Sequence, residues 1–306
     1  MRGAVASAAL QEGQASSHDL LIVGPGVLGS YLGKLWLDKH PGATVVGQTN
    51  TDSSHERLKR IGIQPRVKAE AGDEKYPYVI FCAPPSGSGD GEYVSEVKAA
   101  IQRWDGTGSF VFTSSGGLYT VDDGTQCNED SAVVPMGQSD RNDRLLKAEQ
   151  ATLAAGGCVV RLVGLYHAQR GAHTFFLRMG KVPRWSGYTV NLIHYEDAAS
   201  LSLAVLEGHE KEGQPFRSRT FVGCDGAPVT FQDMMNATLA SGVFNGEVTF
   251  TGEEGPSKGK LMGNCRTREA LHWRPKYPSF EDFMLSGAQD VYSMSDLFAV
   301  GQPHRG

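Results

Sequence analysis

Apolar residues in the first half of the chain come in short unbroken runs, and between those runs they recur three and four positions apart. The runs at 19–23 (DLLIV), 43–49 (ATVVGQT), 63–69 (IQPRVKA), 76–83 (YPYVIFCA), 109–115 (SFVFTSS) and 158–166 (CVVRLVGLY) predict strands. Segments 31–40, 53–62, 93–104 and about 139–155 have helical spacing, and residues 116–135 read as a loop. Pro41-Gly42 stops the first helix and Pro84-Pro85 ends the fourth strand. Strands alternating with helices in this way predict an α/β fold built on a doubly wound parallel sheet. From about Gly164 the pattern turns irregular, with Gly, Arg, Trp and Pro between shorter elements.

The first strand runs directly into Gly24-Pro25-Gly26-Val27-Leu28-Gly29, a GxGxxG that opens the first helix. In that setting the three glycines answer three different physical demands. Gly24 permits the tight turn, Gly26 lets backbone approach a pyrophosphate, and Gly29 allows the helix to pack closely on the sheet. The N–H groups at the helix start, with Val27 and Leu28 among them, then face a phosphate. A dinucleotide on a Rossmann-type sheet follows. Its ribose is met about 20 residues on, at the end of the second strand. There the chain reads Gly47-Gln48-Thr49-Asn50-Thr51, with His55 and Arg57 beyond and no Asp or Glu before Asp52. Small donors without a carboxylate favour NADP over NAD, whereas Asp52 favours NAD if the loop is displaced by a few residues. After the fourth strand, Cys82, Ala83, Pro84 and Pro85 pass the adenosine side, with Cys82 read as a small buried hydrophobe.

Composition narrows the function classes. Charged residues make up 21% of the chain and the net charge is −5, so no basic footprint for nucleic acid exists. The five cysteines form no CxxC pair and the nine histidines show no HExxH or HxH spacing, which points to reduced thiols in a reducing compartment and to no metal site. No apolar run approaches the roughly 18 residues that span a bilayer. Residues 1–17, rich in Ala and Ser, are read as a disordered tail or a transit-peptide remnant.

Further along, VFTSSGGLY (111–119), NEDS with Pro135, KAEQ (147–150), RLVGLY (161–166), NLIHYEDAA (191–199) and NCRTREALHWRPKYPSF (264–280) occur in an order that resembles the atypical extended short-chain dehydrogenase/reductases. These are NAD(P)-binding Rossmann proteins related to sugar-nucleotide epimerases, and the likeness is to plant and algal members. The resemblance spans roughly 19–285. It implies a dinucleotide domain at 18–163, a substrate-side region at 164–286 that returns some elements to the core, and a tail at 287–306. It also implies that Ser114 and the backbone of Val163, Gly164 and Leu165 lie against the cofactor. Tyr166, His167, Arg170 and His173 are implied to face a small-molecule substrate, or else to form a solvated loop. His194 and Asp197 match a pair that braces the substrate region. With such relatives in view, the plastid stroma or the cytoplasm is the expected compartment, and a homodimer or an assembly partner the expected association.

Members that do redox chemistry use Ser, Tyr and Lys, with Tyr and Lys one helical turn apart. No tyrosine of this chain has a lysine four residues on. Aligned on Glu149, Arg141 stands at the Tyr position, Leu145 at the Lys position and Ser115 at the Ser position. Ser115 with Tyr119 is therefore the catalytic candidate, with Lys147 and Tyr166 as other proton carriers, since a guanidinium does not titrate near neutrality. Two readings remain open: an NADP(H)-dependent reductase or epimerase-like enzyme with altered proton donors, and a non-catalytic NADP(H)-binding structural or redox-sensing component of an assembly.

Overall fold

A computed structural model of the protein describes residues 17–85, 90–210 and 213–290. Of the tails expected at 1–17 and 287–306, residues 1–16 and 291–306 lie outside the described residues, as does the Gly/Ser stretch at 86–89. Strands Leu20–Val23 (β1), Val45–Thr49 (β2), Gln64–Val67 (β3), Tyr78–Phe81 (β4) and Phe110–Ser115 (β5) alternate with helices Val27–Lys39 (α1), His55–Arg60 (α2), Asp90–Ile101 (α3) and Asp140–Ala154 (α4). With strands Cys158–Leu162 and Thr220–Gly223 they form one seven-stranded sheet. Its order is Thr220–Gly223, Cys158–Leu162, β5, β4, β1, β2, β3, and every neighbouring pair is parallel.

Period-two alternation along β1 divides its side chains between two cores. Leu20 and Ile22 pack with Tyr31, Leu32 and Trp36 of α1 and with Ala198, Leu201 and Val205 of the helix Tyr195–Glu207. Leu21 and Val23 pack on the opposite face with Tyr93 and Val97 of α3 and Leu145 of α4. Both faces are covered, which is why these strands read as unbroken apolar runs rather than alternating ones. Only Arg161 interrupts the buried strand Cys158–Leu162 with a charge. Its guanidinium makes a two-pronged bond to Glu149 of α4, at 3.0 Å and 2.7 Å, and lies 4.8 Å from the centre of the Tyr119 ring.

Three segments depart from the sequence expectation. The stretch expected as loop, 116–135, contains the strand Asp123–Cys127, which pairs with Gly259–Met262 in a four-stranded sheet completed by Thr189–Val190 and Val229–Thr230. The single strand expected at 158–166 breaks at Val163: residues after it leave the main sheet and pair with Leu192–His194. A side chain at Gly164 would meet the Leu192 side chain at 2.8 Å, so glycine permits that close pairing. Finally, residues 287–290, expected in the tail, are docked. Ala288 is buried and the Asp290 carboxylate bonds His194 Nε2 at 2.8 Å. His194 Nδ1 accepts from the Glu196 N–H, so its other nitrogen carries the proton given to Asp290. Asp197 accepts the backbone N–H groups of Lys276 and Tyr277 and braces the C-terminal region against the helix Tyr195–Glu207, as its motif implied.

Two buried carboxylates set the stability expectations. Removing Glu149 strands the Arg161 charge, so Glu149→Ala should lower the unfolding free energy in urea titrations by about 3–5 kcal/mol. Asp225 is buried, with one oxygen bonded to the Ala227 N–H and the other without a hydrogen-bond partner; burial pushes its carboxyl up to about 7. The folded state thus holds a proton that the unfolded state releases near pH 4, and stability contributed by this group declines as pH rises from about 4 to about 7. In Asp225→Asn that slope is gone, so the variant's stability relative to wild type should grow by about 3 kcal/mol between pH 5 and pH 8.

Candidate functional site

At the carboxyl ends of the parallel strands the sheet order reverses direction between β1 and β4, and a crevice opens there by topology. The three motif glycines line it in three different ways. Gly24 has φ +79°, and a side-chain carbon on it would lie 2.6 Å from the Ala83 nitrogen, so only glycine lets the turn after β1 meet the end of β4. Gly29 abuts the Ile22 side chain, where an added carbon would lie at 2.8 Å. Gly26 is the open one: nothing but the Gly24 carbonyl, at 4.0 Å, stands near the position its side chain would take. Helix α1 begins there with no side-chain cap and no acidic residue in its first turn. Among the described residues, the N–H groups of Val27, Leu28 and Gly29 have no acceptor. An anion of diphosphate shape fits these donors.

The cleft encloses about 920 Å³. Gly24, Gly26, Val27, Leu28 and Gly29 form its floor, with Cys82, Ala83, Pro84 and Pro85 on one wall. Gln48, Thr49, Asn50, Ser54, Arg57 and Lys68 line the β2 and β3 end, and Ser114, Ser115, Arg141, Leu145, Leu162, Val163, Leu165, Arg170 and Tyr195 the other. Arg57 reaches from α2 to the glycine turn, donating to the Pro25 carbonyl at 3.3 Å and the Ser30 hydroxyl at 3.2 Å. Thr49 is held by His55 at 2.8 Å. Thr51 is not part of the lining: it is exposed and bonds Ser53. Asp52 opens a 3₁₀ turn that carries it outward, also clear of the cleft. Burial drives the Cys82 thiol up to about 12, so it stays protonated as a small wall residue.

A second cavity of about 670 Å³ adjoins the first and shares Ser115, Leu162 and Val163 with it. Tyr119, Asp122, Gly164, Tyr188, Asn191 and Lys260 line it. Ser115 accepts a hydrogen bond from the Gly117 N–H at 3.1 Å. Lys260 Nζ donates to the Tyr119 carbonyl at 2.8 Å, and burial lowers its pKa from the usual lysine range. Asp122 accepts from the Tyr188 hydroxyl at 2.9 Å. Lys260 and Asp122 escaped the sequence reading because the strand pairing that joins their segments spans more than 130 residues.

Helix α4 turns residues 141 and 145 toward the cleft, where the family resemblance implied Tyr and Lys. Arg141 and Leu145 occupy those places. Tyr119 borders the second cavity, but its ring is buried beneath Arg161, and burial raises the phenol above its ordinary value despite that guanidinium. Easier proton loss would need the opposite shift.

Of the four residues expected to face a substrate, only Arg170 reaches the cleft, beside Tyr195. The other three require correction. Tyr166 is fully buried between His194, Phe280 and Phe283. His167 Nδ1 accepts from the Gln169 N–H, and burial lowers its pKa to about 4. His173 bonds the Ala168 carbonyl and packs against Phe244 and Phe280. These side chains hold the segment together from inside. Among the described residues, no group of three or more His, Cys, Asp or Glu is placed to bind a metal ion, and no helix is long and apolar enough to cross a membrane.

No protein-family model matches the chain, and no curated protein sequence matches it significantly. Solved structures do. A conserved protein of unknown function from Silicibacter pomeroyi aligns at 21% identity and TM-score 0.69, covering 88% of this chain and 98% of the other. UDP-glucuronic acid 4-epimerase from Bacillus cereus, in complex with NAD, aligns at 14% identity and TM-score 0.70, with coverage of 89% and 97%. A dTDP-glucose 4,6-dehydratase from Bacillus anthracis, also with NAD, aligns at 12% and 0.67, with coverage of 88% and 95%. This chain has the fold of those epimerases and dehydratases. The correspondence extends over nearly their whole length, so the smaller C-terminal region belongs to the shared architecture as well as the sheet.

The open face of Gly26 gives a direct test. Gly26→Ala should change thermal stability little, since the added carbon meets no close neighbour, yet weaken nicotinamide-dinucleotide binding at least tenfold in fluorescence titrations; unchanged affinity would put the nucleotide elsewhere.

Proposed function

We propose that this protein binds NADP(H) along the cleft and holds a small molecule in the adjoining cavity, acting as a reductase or epimerase-like enzyme without the usual Tyr-Lys pair. The observation that carries the reading is the cradle itself: an open Gly26, uncapped N–H groups at α1, and a cleft running from the end of β2 to Val163. The phosphorylated cofactor is preferred because Asn50, Ser54 and Arg57 line the end of β2, and the carboxylate on that side of the cleft, Glu96, is paired with Lys68. A 2′-phosphate there gains a charge-assisted hydrogen bond from the guanidinium; an NAD ribose gains none. The epimerase and the dehydratase above were solved with NAD, so a preference for NADP(H) would set this chain apart from them.

When bound, the cofactor supplies or accepts a hydride. The chain's own part is to seat the nicotinamide against Ser115 and Val163 and to present the second cavity to its exposed face. In that cavity Ser115 offers a hydroxyl to orient a carbonyl, and Lys260 a half-buried ammonium within the same walls. The second reading, a binding protein that uses NADP(H) as a structural clamp or sensor, is supported by one observation: the α4 face of the cleft presents Arg141 and Leu145, neither of which exchanges a proton near neutral pH.

Titration with NADPH and NADH tests the cofactor assignment. Wild type should prefer NADPH, and Arg57→Gln should cut NADPH affinity by about 10- to 100-fold while leaving NADH nearly unchanged. Equal losses for both nucleotides, or a wild type that prefers NADH, would refute it. A screen of carbonyl substrates then separates the two functional readings: turnover sensitive to Ser115→Ala supports the enzyme, and tight binding without turnover the clamp or sensor.

A further inference from the structure

We propose that Arg141, with Arg170, makes this protein selective for the reduced nucleotide over the oxidised one, so that occupancy of the cleft reports the redox state of the nicotinamide pool. The inference rests on the NADP(H) reading above and adds to it a discrimination between two forms of one ligand.

The charges lining the cleft are unevenly arranged. Among the described residues its one acidic side chain, Glu96, is bonded to Lys68 at 2.6 Å, at the end near β3. The opposite end, from Ser114 to Tyr195, is lined by two guanidinium groups and no carboxylate among the described residues. Arg141 projects from the start of α4, and Arg170 from the segment after the strand Gly164–Tyr166. The remaining walls there are Ser114, Ser115, Leu145, Leu162, Val163, Leu165 and Tyr195, which offer a cation no counter-charge. The nicotinamide ring carries a full positive charge when oxidised and none when reduced, whereas the phosphates and the adenosine half are the same in both forms. The glycine cradle and Arg57 therefore bind the two forms alike. Only the ring meets a different field.

Coulomb repulsion across several ångströms in a partly solvated cleft amounts to on the order of a tenfold preference for the reduced form. For a two-electron couple a tenfold ratio of affinities raises the potential of the bound nucleotide by about 30 mV. A site that favours reduced nucleotide and lacks the relay residues has the chemistry of a sensor.

Calorimetric titration with NADPH, NADP⁺ and 2′,5′-ADP separates the contributions. Wild type should bind NADPH about tenfold more tightly than NADP⁺. Arg141→Gln should bring the two affinities to within about threefold, Arg141→Lys should keep the gap, and 2′,5′-ADP should bind all three proteins equally, which also shows that each variant is folded. Equal affinities in wild type, or a gap that survives both Arg141→Gln and the double variant with Arg170→Gln, would overturn the inference while leaving the NADP(H) reading intact. Absence of heat with all three nucleotides would overturn both.

Discussion

The closeness of two strand ends governs the rest of this molecule. The backbone after β1 passes so near the end of β4 that a methyl group on Gly24 would collide with Ala83. That contact fixes where the chain turns into α1, and hence where the first-turn N–H groups converge. Because strand order reverses at the same point, helices approach from opposite faces and the crevice between them stays open. A bulkier residue at position 24 would pry the two strands apart and dissolve the floor of the cleft. The cradle at Gly26 and the packing at Gly29 are consequences of that first approach.

Charge then shapes what the cleft accepts. The chain as a whole is acidic, with net charge −5, yet among the described residues five basic side chains and a single carboxylate line this one cavity. Low-dielectric walls and a helix terminus of the same sign concentrate that field on a polyanion. Behind the cleft, the Arg161–Glu149 pair neutralises the charge buried in the strand Cys158–Leu162 and seats the Tyr119 ring. The phenol thereby becomes part of the packing, and the polar side chains left facing the second cavity include Ser115 and Lys260.

The central strands of the first half, β1, β4 and β5, were legible because they are buried on both faces, a pattern local sequence records directly. The cofactor turn was legible too, since its three glycines answer steric demands within ten residues of one another. What misled the reading was chemistry without context. His167, His173 and Tyr166 carry groups able to bind a substrate, and a loop dense in them resembles a binding surface. Their environment is made by Phe280, Phe283 and Asp290, more than a hundred residues downstream. No spacing rule reaches that far. The strand Asp123–Cys127 was missed for the same reason: DGTQC has no alternation of its own and is a strand only because Gly259–Met262 pairs with it.

By itself the sequence determined the parallel α/β sheet, the glycine turn that opens α1, and that no tyrosine of the chain has a lysine four residues on. These rest on local sterics and on hydrophobic periodicity, which act between near neighbours. Tertiary structure alone decided which titratable side chains face the cavities and which are buried. It paired Arg161 with Glu149, turned Asp52 outward, placed Lys260 in the same cavity as Ser115, and set Arg170 and Arg141 at one end of the cleft. Burial and electrostatic partnership depend on distance in space, and a folded chain brings together residues that its order keeps far apart.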